Sequence, residues 1–144
     1  MNPTLGISFH CNGTAYRLKG RNSIKKVIRK ILEEEGKTSD FINVVLCSDE
    51  QLLKINREFL DHDYLTDVIT FNYAGDPVND PIEGEIYISA DRVVENSQMY
   101  KVTPENEMQR VIIHGVLHLC GYNDTSKKQR SLMTQLENKF LELI

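Results

Sequence analysis

Two spacings of apolar residues alternate along this chain and predict the order of its secondary structure. Leu5, Ile7 and Phe9 recur at every second position, which is the period of a strand with one buried face. Short runs rich in β-branched, aromatic and aliphatic residues predict further strands at residues 41–46, 67–73, 85–88 and, as a short return strand, 16–18. The strands at 67–73 and 85–88 are close enough in sequence to pair as antiparallel neighbours.

Apolar residues at helical spacing predict five helices between and after these strands. The first four helices are expected to follow a residue whose side chain can accept hydrogen bonds from the first backbone N–H groups. The predicted N-caps are Ser23, Ser48, Ser89 and Thr103, and the last helix is predicted to run from about Ser126. Gln51 stands three residues after Ser48, the spacing of a capping box. The order of the elements predicts an α+β fold, a small mixed β-sheet of about four strands with helices packed on it.

The fourth helix carries the most informative chemistry. The segment from Val111 to Cys120 is apolar except for His114 and His118. Residues four apart on a helix differ by only about 40° around its axis, so both imidazoles face the same side. They can therefore converge on one ion at about 2.0–2.1 Å. Gly121 can end the helix, and Asp124 follows as a third candidate ligand from the loop behind it.

These residues predict a metal site on a buried helix, formed by His114, His118 and Asp124, with an open position for water. The alternative is that both histidines are core residues bonded to backbone carbonyls. Two imidazoles in one apolar run cost free energy unless each has a partner, which favours metal ligation. A zincin peptidase would place a general-base Glu directly after the first histidine, but here that residue is Gly115.

The segment HGVLHLCGY, from His114 to Tyr122, resembles the signature H-G-x-L-H-L-x-G-Y-D-H of the YbeY family, in which three histidines bind zinc. The third ligand position falls on Asp124. A second block, INREF and TDVITF, is similar to the family's L-N-x-x-[YF]-R and T-D-V-L-S-F. The family's arginine, which lines its cleft, falls on Leu60 in this chain.

The resemblance implies a single-strand-specific, metal-dependent endoribonuclease that acts in rRNA maturation, ribosome biogenesis and ribosome quality control. The implied partners are single-stranded RNA, rRNA and ribosomal particles. The implied cofactor is one divalent metal ion, with zinc as the first candidate. Two histidines and one carboxylate also suit iron or other divalent ions. No organic cofactor is expected, and the sequence does not specify an oligomeric state.

An ion with three protein ligands and one water can lower the pKa of that water to near 7 and can polarise a phosphoryl oxygen. Asp67 and His62 are candidates for the proton-transferring groups. Glu85 also falls on an acidic position of the family pattern, and we interpret it as an ordinary exposed residue. Because Leu60 carries no charge, Arg57 and His62 are candidates for the cation that stabilises the developing negative charge.

The net charge of −4 argues against a nucleic-acid binder, but its distribution is uneven. Residues 1–37 hold eight Lys or Arg and three Glu, whereas the remainder holds nine Lys or Arg and eighteen Asp or Glu. The first helix presents four of these cations on one face: Lys25, Lys26, Arg29 and Lys30. This face could hold a phosphate backbone, or it could be an ordinary solvated surface.

One domain spanning residues 1–144 is the natural count for this length. The three cysteines are an odd set without metal-like spacing, which fits a reducing cytoplasm. The sequence has no pattern of a signal peptide and no apolar run of the ~20 residues that span a bilayer. Two alternatives to a ribonuclease stay open: a metal-dependent hydrolase of another substrate class such as a peptidase, and a non-catalytic ribosome-assembly module with a structural metal.

Overall fold

The computed structural model describes residues 6–62 and 66–144. It contains four strands: β1 (Ile7–Cys11), β2 (Ser39–Cys47), β3 (Val68–Asn72) and β4 (Ile82–Ser89). Five helices accompany them: α1 (Arg21–Glu34), α2 (Asp49–Leu60), α3 (Ala90–Tyr100), α4 (Pro104–Leu119) and α5 (Lys127–Leu141). The strand order in the sheet is β1-β2-β4-β3. β1, β2 and β4 run parallel, and β3 pairs antiparallel with β4. The predicted mixed α+β fold is confirmed.

Alternate residues of each strand point to opposite faces of the sheet. The apolar clusters on these two faces differ in size. The larger core joins aliphatic residues of β2 and β4 to the apolar faces of α1 and α4 and to Met133 and Phe140 of α5. A smaller cluster on the other face contains Cys47, Leu52 and Ile69. The helix with the histidines is therefore part of the main core, which holds it rigidly.

Two glycines allow α4 to pack closely against β4. A Cβ atom added at Gly115 would lie 2.7 Å from Cγ2 of Ile86, and one added at Gly84 would lie 2.6 Å from Cδ1 of Leu119. Real side chains do not tolerate such distances, so both glycines are needed for the helix to lie directly on the strand. Gly115 faces the sheet rather than the candidate ligands, and as a glycine it cannot supply a general base after His114.

Three of the four predicted N-caps are confirmed, with Ser48, Ser89 and Thr103 each accepting a backbone N–H through its side chain. Ser126, where the last helix is predicted to begin, caps α5 in the same way. The prediction of Ser23 is wrong. α1 begins three residues earlier because Gly20 takes a left-handed conformation (φ 70°) that lets the helix start without a side-chain cap.

The predicted return strand at residues 16–18 is also wrong. Tyr16 and Leu18 pack against the main core from a segment without strand pairing, and this packing accounts for their alternation. Leu5, assigned from the sequence to the first strand, lies outside the described residues, as do residues 63–65 of the predicted loop. Within the described ranges, no helix is long and apolar enough to cross a membrane.

The start of α2 is tied to the start of α3 by Asp49. Its carboxylate accepts a hydrogen bond from Ser89 Oγ at 2.6 Å and from Arg92 Nη2 at 2.9 Å. The hydrogen bond from Arg92 holds the pKa of Asp49 below its usual range. Asp49→Asn is therefore expected to lower the free energy of unfolding by about 1–2 kcal/mol at neutral pH.

The pH dependence of this effect has a definite sign. Because the folded pKa of Asp49 is depressed, its stabilisation is present above the unfolded pKa of about 3.9 and is lost as the pH falls through the folded pKa. Urea unfolding of the wild type and of Asp49→Asn should therefore converge in acid. Glu50→Gln, on the exposed next residue of the same helix turn, is the matched control. An equal difference at neutral and acid pH would contradict this account.

Candidate metal centre

His114 and His118 lie side by side on α4, and Asp124 closes the group. The two Nε2 atoms are 2.9 Å apart, and Oδ2 of Asp124 is 3.3 Å from each of them. The two rings meet edge to face, with centroids 4.5 Å apart. The structure thus brings together the three ligands predicted from the sequence, with their ligand atoms within 4.8 Å of one another.

The end of α4 explains how Asp124 returns to the histidines. The N–H groups of Cys120 and Tyr122 donate to the carbonyls of Val116 and Leu117, which closes the last turn. Gly121 follows with a φ of 108°, a conformation that residues with a Cβ rarely adopt. The chain reverses there, and the loop brings Asp124 to the face of the helix that carries the imidazoles.

Each histidine is oriented through its Nδ1 atom. His118 Nδ1 lies 2.8 Å from the carbonyl oxygen of Tyr122, and His114 Nδ1 lies 2.7 Å from Oε2 of Glu137. Both partners accept hydrogen bonds, so both Nδ1 atoms carry a proton, and in the neutral imidazole each Nε2 atom then presents a lone pair. This arrangement is typical of histidines that bind a metal through Nε2.

Glu137 is itself held in place by a cation. It lies on α5 with only 7% of its surface exposed, and its Oε1 accepts from Arg110 Nη1 at 3.0 Å. Arg110 Nη2 also donates to Oδ1 of Asn138 at 2.6 Å. Arg110, Glu137 and His114 therefore form a continuous chain of hydrogen bonds that links α5 to the candidate ligand.

The electrostatics of the group favour a bound cation. Burial lowers the pKa of His114, but the hydrogen bond to Glu137 and the nearby Asp124 and Asp67 carboxylates outweigh it and raise the pKa above its ordinary value. Two nitrogen lone pairs and a carboxylate oxygen at 2.9–3.3 Å repel one another unless positive charge lies between them.

The same distances fit a metal ion. Ligand atoms about 2.0–2.1 Å from a tetrahedral ion are about 3.3 Å apart, and both nitrogen-to-oxygen distances have this value. The nitrogen-to-nitrogen distance of 2.9 Å would widen by a few tenths of an ångström, about what small side-chain rotations supply. Asp124 is 39% exposed, which leaves one side of the group accessible.

A cavity of about 610 Å³ opens beside this group. Its walls include His114 and Asp124, and Asp67 lies on the same cavity. Burial raises the pKa of Asp67, an effect partly offset by the attraction of His114. The predicted proton-transferring Asp67 is thus brought to the candidate centre. Arg110 and Arg130 also line the cavity.

Arg57 and His62, the other predicted catalytic residues, lie elsewhere. Both are exposed, and neither is among the described residues that line this cavity. Leu60 is 38% exposed at the end of α2. The replacement of the family's arginine by Arg57 or His62 therefore stays a prediction. Glu85, interpreted as an ordinary residue, accepts a hydrogen bond from the hydroxyl of Tyr73 at 2.6 Å.

Sequence reasoning missed the residues that support the ligands, Glu137 and Arg110. One signal was available. Glu137 lies between Met133 and Phe140 on the buried face of α5, and a carboxylate in an apolar stripe needs a partner. The identity of that partner required the packing of α5 against α4.

Comparisons with known proteins indicate the family to which this chain is similar. The model of the family described as "Endoribonuclease YbeY" matches residues 11–144. A protein named Endoribonuclease YbeY from Cytophaga hutchinsonii is 42% identical over 95% of this chain and 94% of its own length. One of the same name from Flavobacterium psychrophilum is 42% identical over 89% of both chains. The solution structure of TM1509 from Thermotoga maritima has a TM-score of 0.64 and 30% identity, covering 95% of this chain and 87% of that one.

Proposed function

Because this chain belongs to the Endoribonuclease YbeY family, we propose that it is a metal-dependent endoribonuclease that cuts single-stranded RNA during rRNA maturation. The observation that carries the proposal is the convergence of His114, His118 and Asp124 beside an open cavity that also contains Asp67. Ribosomal particles are the proposed setting. The free thiols of the cysteines are consistent with a cytoplasmic location.

The side chains of the site have distinct tasks in this proposal. A divalent ion held by the three ligands would polarise a phosphoryl oxygen and acidify a water molecule. Glu137 and the carbonyl of Tyr122 keep the two imidazoles in the tautomer that binds. Asp67 accepts a proton, a task that suits a carboxylate whose pKa is raised by burial. Arg57 and His62 remain the proposed cations that offset the neutral Leu60.

Zinc is the proposed ion, because two imidazoles and a carboxylate with an accessible fourth position match the donor sets of catalytic zinc sites. The same donors also bind iron(II) in other proteins. Elemental analysis of protein purified without added metal distinguishes these ions.

Substrate class is tested by incubating the protein with a single-stranded ribosomal RNA fragment and, separately, with casein. We expect cleavage of the RNA that stops when a chelator is added, with casein intact. Gly115 packs on Ile86 and supplies no general base, which is the physical reason to expect no peptidase activity. Metal-dependent cleavage of casein with intact RNA would contradict the proposal. Metal binding without cleavage of either substrate would instead favour a non-catalytic module.

Exchange of the carboxylate ligand for the family's usual one is a further prediction. Asp124→His is expected to keep one ion per chain, since imidazole nitrogen replaces carboxylate oxygen in the same accessible position. Asp124→Ala is expected to lose more affinity than the about tenfold to hundredfold caused by loss of an outer partner. Competition with a metal-sensitive dye measures both. Equal affinity of Asp124→Ala and the wild type would remove Asp124 from the ligand set.

A further inference from the structure

Glu107 is a buried carboxylate for which the proposed reaction has so far no use. It is only 4% exposed, lies on α4 three residues before Arg110 and seven before His114, and lines the same cavity. Its carboxylate makes no hydrogen bond or ion pair with any residue in ranges 6–62 and 66–144, and no fully buried side-chain oxygen in these ranges lacks a partner, so the Glu107 oxygens reach the space of the cavity. A carboxylate that is largely withdrawn from solvent and has no donor within the protein costs free energy, so a ligand that donates to it would be stabilised there.

The surroundings of Glu107 increase this cost. Burial is the main cause that raises its pKa, and the Asp67 and Glu137 carboxylates add to it. Arg110 attracts Glu107 but is already engaged by Glu137 and Asn138. A ligand that supplies neutral N–H donors would relieve Glu107 without breaking the chain of hydrogen bonds that orients His114.

The remaining walls of the cavity suit a planar, partly apolar ligand. Tyr100, 60% exposed at the end of α3, lines the cavity together with Val102 and the buried Met133. Arg130 also lines the cavity, and its Nη1 donates at 3.0 Å to the carbonyl of Thr125, the residue after the candidate ligand Asp124. The volume of about 610 Å³ is within the range of small-molecule sites. Aromatic rings and arginines are the groups that bind unstacked RNA bases and phosphates.

We propose that this cavity is a nucleobase pocket and that Glu107 selects guanine next to the cleaved phosphate. A carboxylate has two acceptor oxygens, and among the RNA bases guanine presents two adjacent N–H donors, from its ring imino and exocyclic amino groups, on its Watson–Crick edge. The other bases offer a single donor group there beside acceptors, which would face the carboxylate unfavourably. This inference rests on the proposed RNA substrate.

An arginine side chain of a polypeptide also presents two parallel donors to a carboxylate. The walls of the cavity carry four carboxylates, those of Asp67, Glu107, Asp124 and Glu137, against two arginines, and a divalent ion at the candidate centre would balance this charge and attract a phosphate. The proposed RNA substrate makes a nucleotide the expected ligand, and binding of an arginine side chain is an outcome of the test.

Binding of mononucleotides tests the pocket without any cleavage. The metal-loaded protein is titrated with 5′-GMP, 5′-AMP, 5′-CMP and 5′-UMP by calorimetry, so that the phosphate is common and the difference reports the base. We expect GMP to bind at least about tenfold more tightly than the others, the discrimination of a bidentate contact. Glu107→Gln, which replaces one acceptor oxygen by a donor NH₂ group, should abolish this preference and keep the metal content. Glu105→Gln, on an exposed residue of the same helix turn, should retain it.

Mapping of cleavage sites separates this inference from the proposed function. Oligonucleotides that differ only in one base beside the cut should be cleaved fastest with guanine, and Glu107→Gln should level the rates. If the wild type binds all four nucleotides equally, or binds N-acetylarginine amide more tightly than GMP, the pocket assignment is wrong even where RNA is cut. If GMP is preferred but no RNA is cut, the pocket stands and the ribonuclease proposal fails. The wild-type nucleotide series decides the question even if Glu107→Gln does not fold.

Discussion

His118→Ala is expected to remove the bound ion from a folded protein and to lower RNA cleavage by at least about a thousandfold, since a catalytic metal contributes several kcal/mol to transition-state stabilisation. His118 Nε2 lies 2.9 Å from His114 Nε2 and 3.3 Å from Asp124 Oδ2. Loss of the His118 imidazole therefore leaves only two of the three candidate ligands to hold the ion. His114→Ala should have the same effect.

The matched control is His10→Ala, which removes an exposed imidazole on β1 whose Nε2 lies 3.1 Å from Ser8 Oγ. Metal content is measured by elemental analysis, and folding by far-UV circular dichroism of the same samples. If folded His114→Ala and His118→Ala both retain one ion per chain, the ligand assignment is wrong. A parallel loss in His10→Ala would point to a general effect of histidine removal.

Glu137→Gln is expected to lower metal affinity by about tenfold to hundredfold, the usual cost of losing a partner that orients a ligating histidine. The carboxylate accepts from His114 Nδ1 at 2.7 Å and from Arg110 at 3.0 Å. A glutamine oxygen can accept only one of these hydrogen bonds, and its NH₂ group faces another donor. Stability should fall by about 2 kcal/mol as well, because charge-assisted hydrogen bonds are lost.

A purely structural role of Glu137 would leave the imidazole unchanged, so the tautomer of His114 is the decisive observable. Nitrogen NMR of the metal-free protein at a pH above the His114 pKa should show the proton on Nδ1 in the wild type and a mixture of tautomers in Glu137→Gln. Glu142→Gln, at the exposed end of α5, is the control. An unchanged metal affinity and tautomer in folded Glu137→Gln would reduce Glu137 to a packing residue.

The sequence was sufficient for the parts of the structure that local patterns determine. Alternation and apolar runs located all four strands, and side-chain caps located the starts of three helices. The candidate ligands could be predicted for the same reason. His114, His118 and Asp124 lie within eleven residues, on one helix and the turn that follows it. The prediction of Ser23 as the N-cap was wrong because α1 begins after Gly20, whose left-handed backbone replaces a side-chain cap. Rules for side-chain caps do not predict such a start.

The rest of the site depends on contacts between distant segments. Glu137 reaches His114 across 23 residues only because α5 packs on α4, and Asp67 reaches the cavity through the sheet. Glu107, Arg110 and His114 follow one another at helical spacing in the sequence. That spacing alone cannot distinguish a solvated charged face from the wall of a cavity, because the difference is made by the elements packed around it.

The most direct test of the metal-dependent mechanism is a titration of the metal-free protein with zinc while cleavage of a single-stranded RNA is recorded. Activity is predicted to rise in proportion to bound zinc and to level off at one ion per chain, and His118→Ala should stay inactive throughout. Cleavage at full rate in the metal-free protein, or no cleavage at one bound ion per chain, would contradict the account.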